Sequence, residues 1–275
     1  MENCLHLYFV VDAELRSSCD FHESVFSSVD RVYEIIRIVD SKPLFLSEHI
    51  ERLQFSCSQS GIALDVSPSG IKSKLKILLE SNKVDIGNIK LVINNQHKID
   101  NWKLAAWLVT YSYPDSKLYE TGVRLSSIHL QRNDPNVKVQ DLHYKSLVQQ
   151  KLAESGAHEL LLLNHGVVKE GSRSNIFFIY NHKIFTAPDE QVLPGITRNK
   201  IIQVGHQLDN PVQKQTIHYD DLGRFQAVFM SGTSPKVLVI NQIDDYQFDV
   251  KHPLIKQIAK EYNNLIDKDI INFKW

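Results

Sequence analysis

Short apolar runs of strand length dominate the first third of the chain. They are rich in β-branched and aromatic residues, which suit the half-buried surface of a sheet. The runs are "LYFVV" (7–11), "YEIIRIV" (33–39), "PLFL" (43–46), "IKLVINN" (89–95) and "LAAWLVTYSY" (104–113). Ser41 and Lys42 lie between the second and third runs, so the pattern predicts a hairpin there.

Two stretches instead repeat apolar residues at helical spacing. Ser47 suits the N-cap of a helix, and Gly61 suits its end. Between them, Ile50, Leu53 and Cys57 recur on one face. Residues 71–81, "IKSKLKILLES", form a second amphipathic pattern. The first third therefore combines strands and helices, as in a small α/β sandwich.

The polar segment "YPDSKLYE" interrupts the pattern, and we interpret residues 115–120 as a linker. Beyond it, strand signals become dense, as in "VRLSSIHL", "ELLLLN" and "NIFFIYN". Helical patterns lie at 142–155, at about 197–207 and at 253–266. The sequence predicts an α+β fold with a smaller N-terminal domain over 1–114 and a larger, strand-rich C-terminal domain over 121–275.

Composition narrows the classes of function. The 275 residues are 43% hydrophobic and 23% charged, as in ordinary globular proteins. Lys plus Arg number 31 against 32 Asp plus Glu, so no basic surface favours nucleic acid. The three cysteines are scattered without a CxxC pair, so we expect neither a disulfide framework nor a metal site. No apolar stretch reaches the roughly 20 residues of a membrane span, and a cytoplasmic location is expected.

The segment "LPGITRNKII" breaks the chain at Gly195 and resumes as a helical pattern. Ile196 and Thr197 therefore open a helix, where backbone N–H groups point outward at the positive end of the helix dipole. The Thr197 hydroxyl adds a donor. Such a set can bind a phosphate, although it also suits an ordinary turn and cap.

A second donor-rich turn, "FMSGTSPK", follows a buried strand pattern. Gly232 allows the backbone to approach a ligand closely, and Thr233 follows it with a hydroxyl. A plain hairpin turn explains this segment equally well when it is taken alone.

Two charged positions interrupt apolar patterns. Glu170 stands at a strand end in "GVVKEGSRSNIFFI", where a carboxylate can hold a protonated ring nitrogen. A solvated strand end is the simpler alternative. His49 and Arg52 are three residues apart in "SEHIERL" and share a helix face. Arg52 can bind a phosphate bidentately, or the pair can lie on a solvated face.

The segment "NVKVQDLHYK" contains two candidate lysines. Lys138 lies on the strand side of a strand-to-helix change, with Asp141 as the N-cap. Lys145 lies inside the helix at helical spacing with Val148 and Leu152. This position suits a lysine whose aliphatic chain packs on the protein while its ammonium group stays in water.

In chain order, these segments resemble one family. The matching pieces are "VYEIIRIVDSKPLFLSEHIERLQFS", a lysine before a helix, "GAHELLLLNHGVVKEGSRSNIF", "LPGITR" and "FMSGTS". The set spans residues 32–235 and resembles the fold-type IV pyridoxal-phosphate enzymes, or class IV aminotransferases. That family includes branched-chain and D-amino-acid aminotransferases and aminodeoxychorismate lyase. The resemblance implies a D-amino-acid aminotransferase-like fold, pyridoxal 5'-phosphate as cofactor, and a homodimer.

The resemblance also implies roles for individual residues. The family's lysine carries the cofactor as a Schiff base and moves a proton. Its spacing to Gly156 and Glu170 matches Lys138, with Lys145 as the alternative. Glu170 matches the glutamate that binds the pyridine nitrogen. The positions that match the phosphate-binding residues are Arg52, Ile196, Thr197, Gly232 and Thr233.

The substrate side departs from the family pattern. The entry motif Y-G-D-G-V-F-E reads "SVDRVYE" here, with Ser28 in place of tyrosine and Arg31 in place of glycine. No arginine or tyrosine handle for a substrate carboxylate is evident near "LVINNQHKIDNW". The resemblance implies an aminotransferase that acts on amino acids and 2-oxo acids. An aminodeoxychorismate lyase and a non-catalytic relative are the alternatives.

Overall fold

The computed structural model describes residues 4–26, 31–94 and 102–275. Within these ranges the chain divides into two compact units. The first comprises the residues up to Ser112 together with Val137–Leu142 and Ile266–Trp275. The second comprises Tyr113–Asn136 and His143–Leu265. Helices and largely antiparallel strands occur in both units, so the predicted α+β class is confirmed.

The first unit is built on an antiparallel sheet. Its described strands are Tyr8–Val11 (β1), Glu14–Ser17 (β2), Val32–Val39 (β3), Lys42–Pro43 (β4), Gly87–Ile93 (β5) and Leu104–Val109 (β6). They lie side by side in the order β2-β1-β6-β5-β3-β4. The described helices up to this point are Glu23–Phe26 (α1), Leu46–Gln59 (α2) and Pro68–Asn82 (α3).

Both faces of this sheet bury apolar side chains. On one face, Ile36 of β3 packs into a core that Leu53 of α2 and Leu75 of α3 complete. The other face carries an aromatic cluster that includes Phe26 and Trp107, whose ring centroids lie 5.5 Å apart. The alternating burial along β3 follows from the two-residue period of a strand, which sends successive side chains to opposite faces.

The hairpin predicted after β3 forms, but its geometry differs from the prediction. Asp40 and Ser41 both have positive φ and make the turn. Val39 pairs with Lys42, and the predicted strand 43–46 is reduced to Lys42–Pro43. Two consecutive left-handed residues give the turn a twist that matches the strands on either side.

Helix α2 starts one residue before the predicted cap, Ser47. It begins at Leu46, and the preceding Phe45 is left-handed with φ 51° and has no side-chain cap of its own. The Asp269 carboxylate accepts the Phe45 N–H at 2.8 Å instead. A residue distant in sequence therefore satisfies a helix-start donor, and no local motif could indicate this.

The second unit contains a larger, mixed sheet. Its described strands are Val123–His129 (β7), Glu159–Asn164 (β8), Val167–Gly171 (β9), Asn175–Tyr180 (β10), Lys183–Thr186 (β11), Gln213–Lys214 (β12), Ile217–His218 (β13), Ala227–Gly232 (β14), Lys236–Ile243 (β15) and Tyr246–Gln247 (β16). The order is β12-β11-β10-β14-β15-β7-β8-β9-β13, with β16 paired to β15.

The remaining described helices are Ser116–Thr121 (α4), Leu142–Ser155 (α5), Ile196–Gln207 (α6) and Pro253–Asn272 (α7). The helix predicted at 142–155 is confirmed at both ends, whereas the one predicted at 253–266 continues to Asn272. Among the helices in the described ranges, none is both long enough and apolar enough to cross a membrane.

The packing differs from the predicted division of the chain in three places, one of which is that Ile266–Trp275, predicted in the C-terminal domain, groups with the first unit. Residues 115–120, predicted as a linker, fall largely within α4, and Asp115 caps that helix by accepting the Leu118 N–H. The segment Val137–Leu142, predicted to lie in the C-terminal domain, packs with the first unit. A β-bridge between Val32 and Val139 joins it to β3.

Two left-handed glycines allow a matched test of this framework. We expect Gly122→Ala to lower the free energy of unfolding by about 3 kcal/mol and Gly166→Ala by about 1 kcal/mol. Gly122 has φ 74° and ψ 174°, and an added Cβ would lie 3.0 Å from the Asn241 backbone nitrogen. Gly166 has φ 73° and open space around an added Cβ. Urea unfolding of both variants measures the difference, and equal losses would contradict the steric explanation.

Candidate active site

A fully buried carboxylate, Glu34, lies on the helix-facing side of β3. Arg52 of α2 donates to both of its oxygens, from Nε to Oε1 at 2.8 Å and from Nη2 to Oε2 at 2.6 Å. His49 Nδ1 lies 2.7 Å from Oε2. Both α2 side chains are buried, so the alternative of a solvated helix face does not hold. Their three-residue spacing brings them to the same carboxylate.

These contacts fix the charges of the group at neutral pH. Burial alone would raise the pKa of Glu34, but Arg52 and His49 hold it at about 2. Burial lowers the pKa of His49. The hydrogen bond to Glu34 raises it in part, and the positive charges of Arg52 and Lys138 lower it again. Glu34 is therefore ionised and His49 neutral.

Lys138 is held at its backbone by two neighbouring elements of the first unit. Its N–H donates to Ser56 Oγ of α2 at 3.2 Å, and its carbonyl accepts the Tyr33 N–H of β3 at 3.0 Å. Its Nζ lies 4.6 Å from the centroid of the Tyr33 ring, within the range of a cation–π interaction. Lys145, by contrast, lies within α5.

A second cation, which is buried, lies near the Tyr33 ring. Lys90 of β5 has its Nζ 5.5 Å from the centroid of Tyr33 and 5.5 Å from that of Trp107. Lys90 was not among the residues predicted for the site. The available signal was a lysine inside the apolar run "IKLVI", which is unusual for a strand buried on both faces.

In the second unit, Glu170 is buried at the end of β9. Its Oε2 accepts the Asn175 side-chain amide at 3.1 Å and the Leu193 N–H at 3.0 Å. Its Oε1 lies 3.3 Å from Nη1 of Arg132. Three donors around one carboxylate favour its ionised form. The alternative of a solvated strand-end glutamate is therefore wrong.

The turn before α6 packs tightly on Asn175. The Asn175 side-chain amide also donates to the Leu193 carbonyl at 3.0 Å. Gly195 has no room for a side chain, because an added Cβ would collide with the Asn175 side-chain oxygen. Helix α6 then begins at Ile196 without a side-chain cap, and Thr197 is buried in its first turn.

The end of β14 joins the same neighbourhood, since Asn175 pairs in register with Ser231. The Ser231 hydroxyl is buried and makes no hydrogen bond to any described residue. Gly232 and Thr233 follow it directly. An unpartnered hydroxyl and an uncapped helix start are the donors that a phosphate group needs, so these residues fit a phosphate-bearing cofactor.

Of the residues predicted for the site, Glu170, Ile196, Thr197, Gly232 and Thr233 fall in the second unit, and Lys138 and Arg52 fall in the first.

The predicted departures on the substrate side are only partly visible. Ser28 lies outside the described residues, as do residues 95–101 of the segment searched for a substrate handle. Arg31 is described and buried, and its guanidinium carbon lies 4.7 Å from the Trp102 ring centroid.

Comparison with known proteins gives a consistent result. Residues 31–243 match the family model described as Amino-transferase class IV. The chain is 28% identical over 264 residues to a D-alanine aminotransferase of Bacillus licheniformis, and the match covers 91% of this chain and 93% of that protein.

Solved structures agree with this match. A putative 4-amino-4-deoxychorismate lyase from Legionella pneumophila has a TM-score of 0.76 and 26% identity, covering 86% of this chain and 91% of that one. A branched-chain aminotransferase from the archaeon Thermoproteus uzoniensis with norvaline has a TM-score of 0.82 and 22% identity, covering 96% of each chain. At 22% identity, the similarity to the second protein shows that this chain has the same fold.

The lowered pKa of His49 predicts a pH-dependent stability. Below pH of about 6.5 the unfolded chain binds a proton at this position that the native chain does not, so the free energy of unfolding falls as the pH drops. We expect His49→Gln to flatten this dependence between about pH 7 and pH 5. Urea unfolding at several pH values measures it. His143→Gln, at an exposed histidine, is the control and should keep the parent slope.

Proposed function

The chain belongs to the class IV aminotransferases, and we propose that it transfers an amino group between an amino acid and a 2-oxo acid. The observation that carries the proposal is the convergence of three features on Asn175. They are the Glu170 carboxylate, the uncapped start of α6 and the unpartnered hydroxyl of Ser231. This arrangement suits a ligand that has a basic ring nitrogen and a phosphate.

Class IV aminotransferases use pyridoxal 5'-phosphate. When bound, this cofactor supplies an electron-accepting ring that stabilises negative charge on the substrate α-carbon. In the second unit, Glu170 would bind the ring nitrogen. The phosphate would take donors from the backbone of Ile196 and Gly232 and from the hydroxyls of Thr197 and Thr233.

In the first unit, we assign the proton transfer to Lys138. Its Nζ is the group that would bind the cofactor covalently and then move a proton. The two backbone hydrogen bonds to Ser56 and Tyr33 fix where the side chain starts, and the Tyr33 ring limits where its Nζ can lie. A fixed proton carrier lowers the entropic cost of reaching the reactive geometry.

Arg52 is assigned to the cofactor phosphate. Its guanidinium is already oriented by the fork of hydrogen bonds to Glu34, and His49 completes the set around that carboxylate. A planar cation that is held in advance loses little entropy when it binds a phosphate. Glu34 and His49 would therefore act on the cofactor through Arg52.

The remaining assignments follow from the family. We propose a homodimer and a cytoplasmic location for this protein, as its resemblance to class IV aminotransferases suggests. Sedimentation of the purified protein tests the first assignment.

Elimination of pyruvate from aminodeoxychorismate is the second candidate function. It is supported by the similarity to the Legionella pneumophila protein described as a putative 4-amino-4-deoxychorismate lyase. The same lysine would move the proton in either reaction, and the two reactions differ in their substrate.

Lysine variants test the assignment of Lys138. We expect Lys138→Ala to abolish the visible absorption that the parent gains with pyridoxal 5'-phosphate, because the amine that holds the cofactor is lost. Lys145→Ala is the matched control from the following helix and should keep that absorption. The reverse result would assign the chemistry to Lys145.

A substrate panel separates the two reactions. The loaded protein is mixed with D- and L-amino acids plus 2-oxoglutarate, and separately with aminodeoxychorismate. We expect glutamate to form with at least one amino acid donor and pyruvate not to be released from aminodeoxychorismate. Release of pyruvate without glutamate formation would make the lyase the function. A silent panel would contradict both.

A further inference from the structure

The carboxylate of Glu170 forms an ion pair with Arg132, a residue that no local sequence pattern indicates. Nη1 of Arg132 lies 3.3 Å from Oε1, and the two side chains are 19% and 5% exposed. The pair is thus largely shielded from water. In such a shielded environment an opposite charge has more effect than at the surface. The ion pair lies within the second unit.

Arg132 stands on a loop that is fixed to the same neighbourhood. The side-chain amide of Asn136 donates to the carbonyl of Asp189 at 2.6 Å and to that of Val192 at 2.7 Å. Val192 directly precedes Leu193, whose N–H binds Glu170. The loop that carries Arg132 and the turn that carries Leu193 are therefore tied together beside one carboxylate.

The two oxygens of Glu170 have different partners. Oε2 accepts from two neutral donors, Asn175 and Leu193. Oε1 faces the guanidinium of Arg132. Neutral donors and a cation both favour the ionised form of a carboxylate, and the cation has the larger effect where water is excluded. Only an ionised Glu170 can pair with a protonated ring nitrogen.

We propose that Arg132 is a positioning residue that keeps Glu170 ionised and oriented toward the ring nitrogen of the cofactor. This inference rests on the proposed function, since it acts through the role assigned there to Glu170. Arg132 sets the lower pH limit at which the cofactor is bound tightly.

The other charged groups near Glu170 provide the control. Arg132 and Glu170 line a cleft of about 100 Å³ together with Lys169 and Glu190. The Nζ of Lys169 donates to the side-chain oxygen of Gln191 at 2.6 Å. Burial lowers the pKa of Lys169, and the charge of Glu190 opposes that effect. Lys169→Met removes a positive charge from the same cleft but leaves the Arg132–Glu170 contact.

The test measures the affinity for pyridoxamine 5'-phosphate between about pH 4 and pH 8.5, a range that extends down to the ordinary pKa of a glutamate. This probe has an amine where pyridoxal phosphate has an aldehyde, so it makes no covalent bond to a lysine and reports the other contacts. Its own ionisation is the same with every variant and cancels when profiles are compared. Quenching of protein fluorescence follows the binding without any turnover.

We expect Arg132→Met to move the acid side of the affinity profile upward by about one pH unit, which weakens binding by up to about tenfold at pH values below both midpoints. Arg132→Lys, which keeps the charge, should restore most of the parent profile. Lys169→Met should leave the midpoint where it is in the parent. An Arg132→Met profile that overlaps the parent, or that falls by the same factor at every pH, would overturn the proposal.

Variants of Glu170 separate this inference from the proposed function. Glu170→Gln should weaken binding and remove the acid-side change, and adding Arg132→Met to it should then have no further effect. If Glu170→Gln weakens binding but Arg132→Met does not, the role of Arg132 fails and that of Glu170 stands. If Glu170→Gln binds the probe as the parent does, Glu170 has no place at the ring nitrogen and both fail.

Discussion

A carboxylate removed from water must be surrounded by donors, and each unit of this chain holds such a group among the residues of the candidate site. In the first unit, Glu34 is fully buried on a core-facing strand, and helix α2 supplies Arg52 and His49 to it. In the second, Glu170 brings together Asn175 and Leu193 from separate elements. Breaking such a set leaves an uncompensated buried charge, which costs about 3–5 kcal/mol. This cost explains why elements that are distant in sequence stay aligned at these points.

Much of the framework could be predicted from the chain because the signals are local. The two-residue alternation of β3 and the apolar spacing of α2 reflect the geometry of a strand and a helix, which depends only on nearby residues. The strand predicted to end at Lys138 is reduced to one β-bridge, between Val139 and Val32 of β3. The order of the motifs along the chain also identified the family, because that order does not depend on where each piece packs.

The contacts that determine charge could not be predicted, since they join residues far apart in sequence. Nothing near Glu34 in the chain indicates that its partners are on α2, and nothing near Glu170 indicates Arg132, which lies 38 positions earlier. The start of α2 is a similar case, because the N–H of Phe45 binds the distant Asp269 and Ser47 is not the cap. Lys90 was missed for a different reason. Its aromatic partners, Tyr33 and Trp107, come from two neighbouring strands, and their pairing is set by sheet register.

The grouping of Val137–Leu142 and Ile266–Trp275 with the first unit has a consequence for how this protein can be divided. The polypeptide passes between the two units four times, so neither half is a continuous stretch of the gene. A fragment that stopped at Ser112 would lack Val139, the bridge partner of Val32, and Asp269, the acceptor at the start of α2. Recombination between relatives at a single crossover point would separate these partners in the same way. Neither unit can therefore be separated from the other by a single cut in the chain.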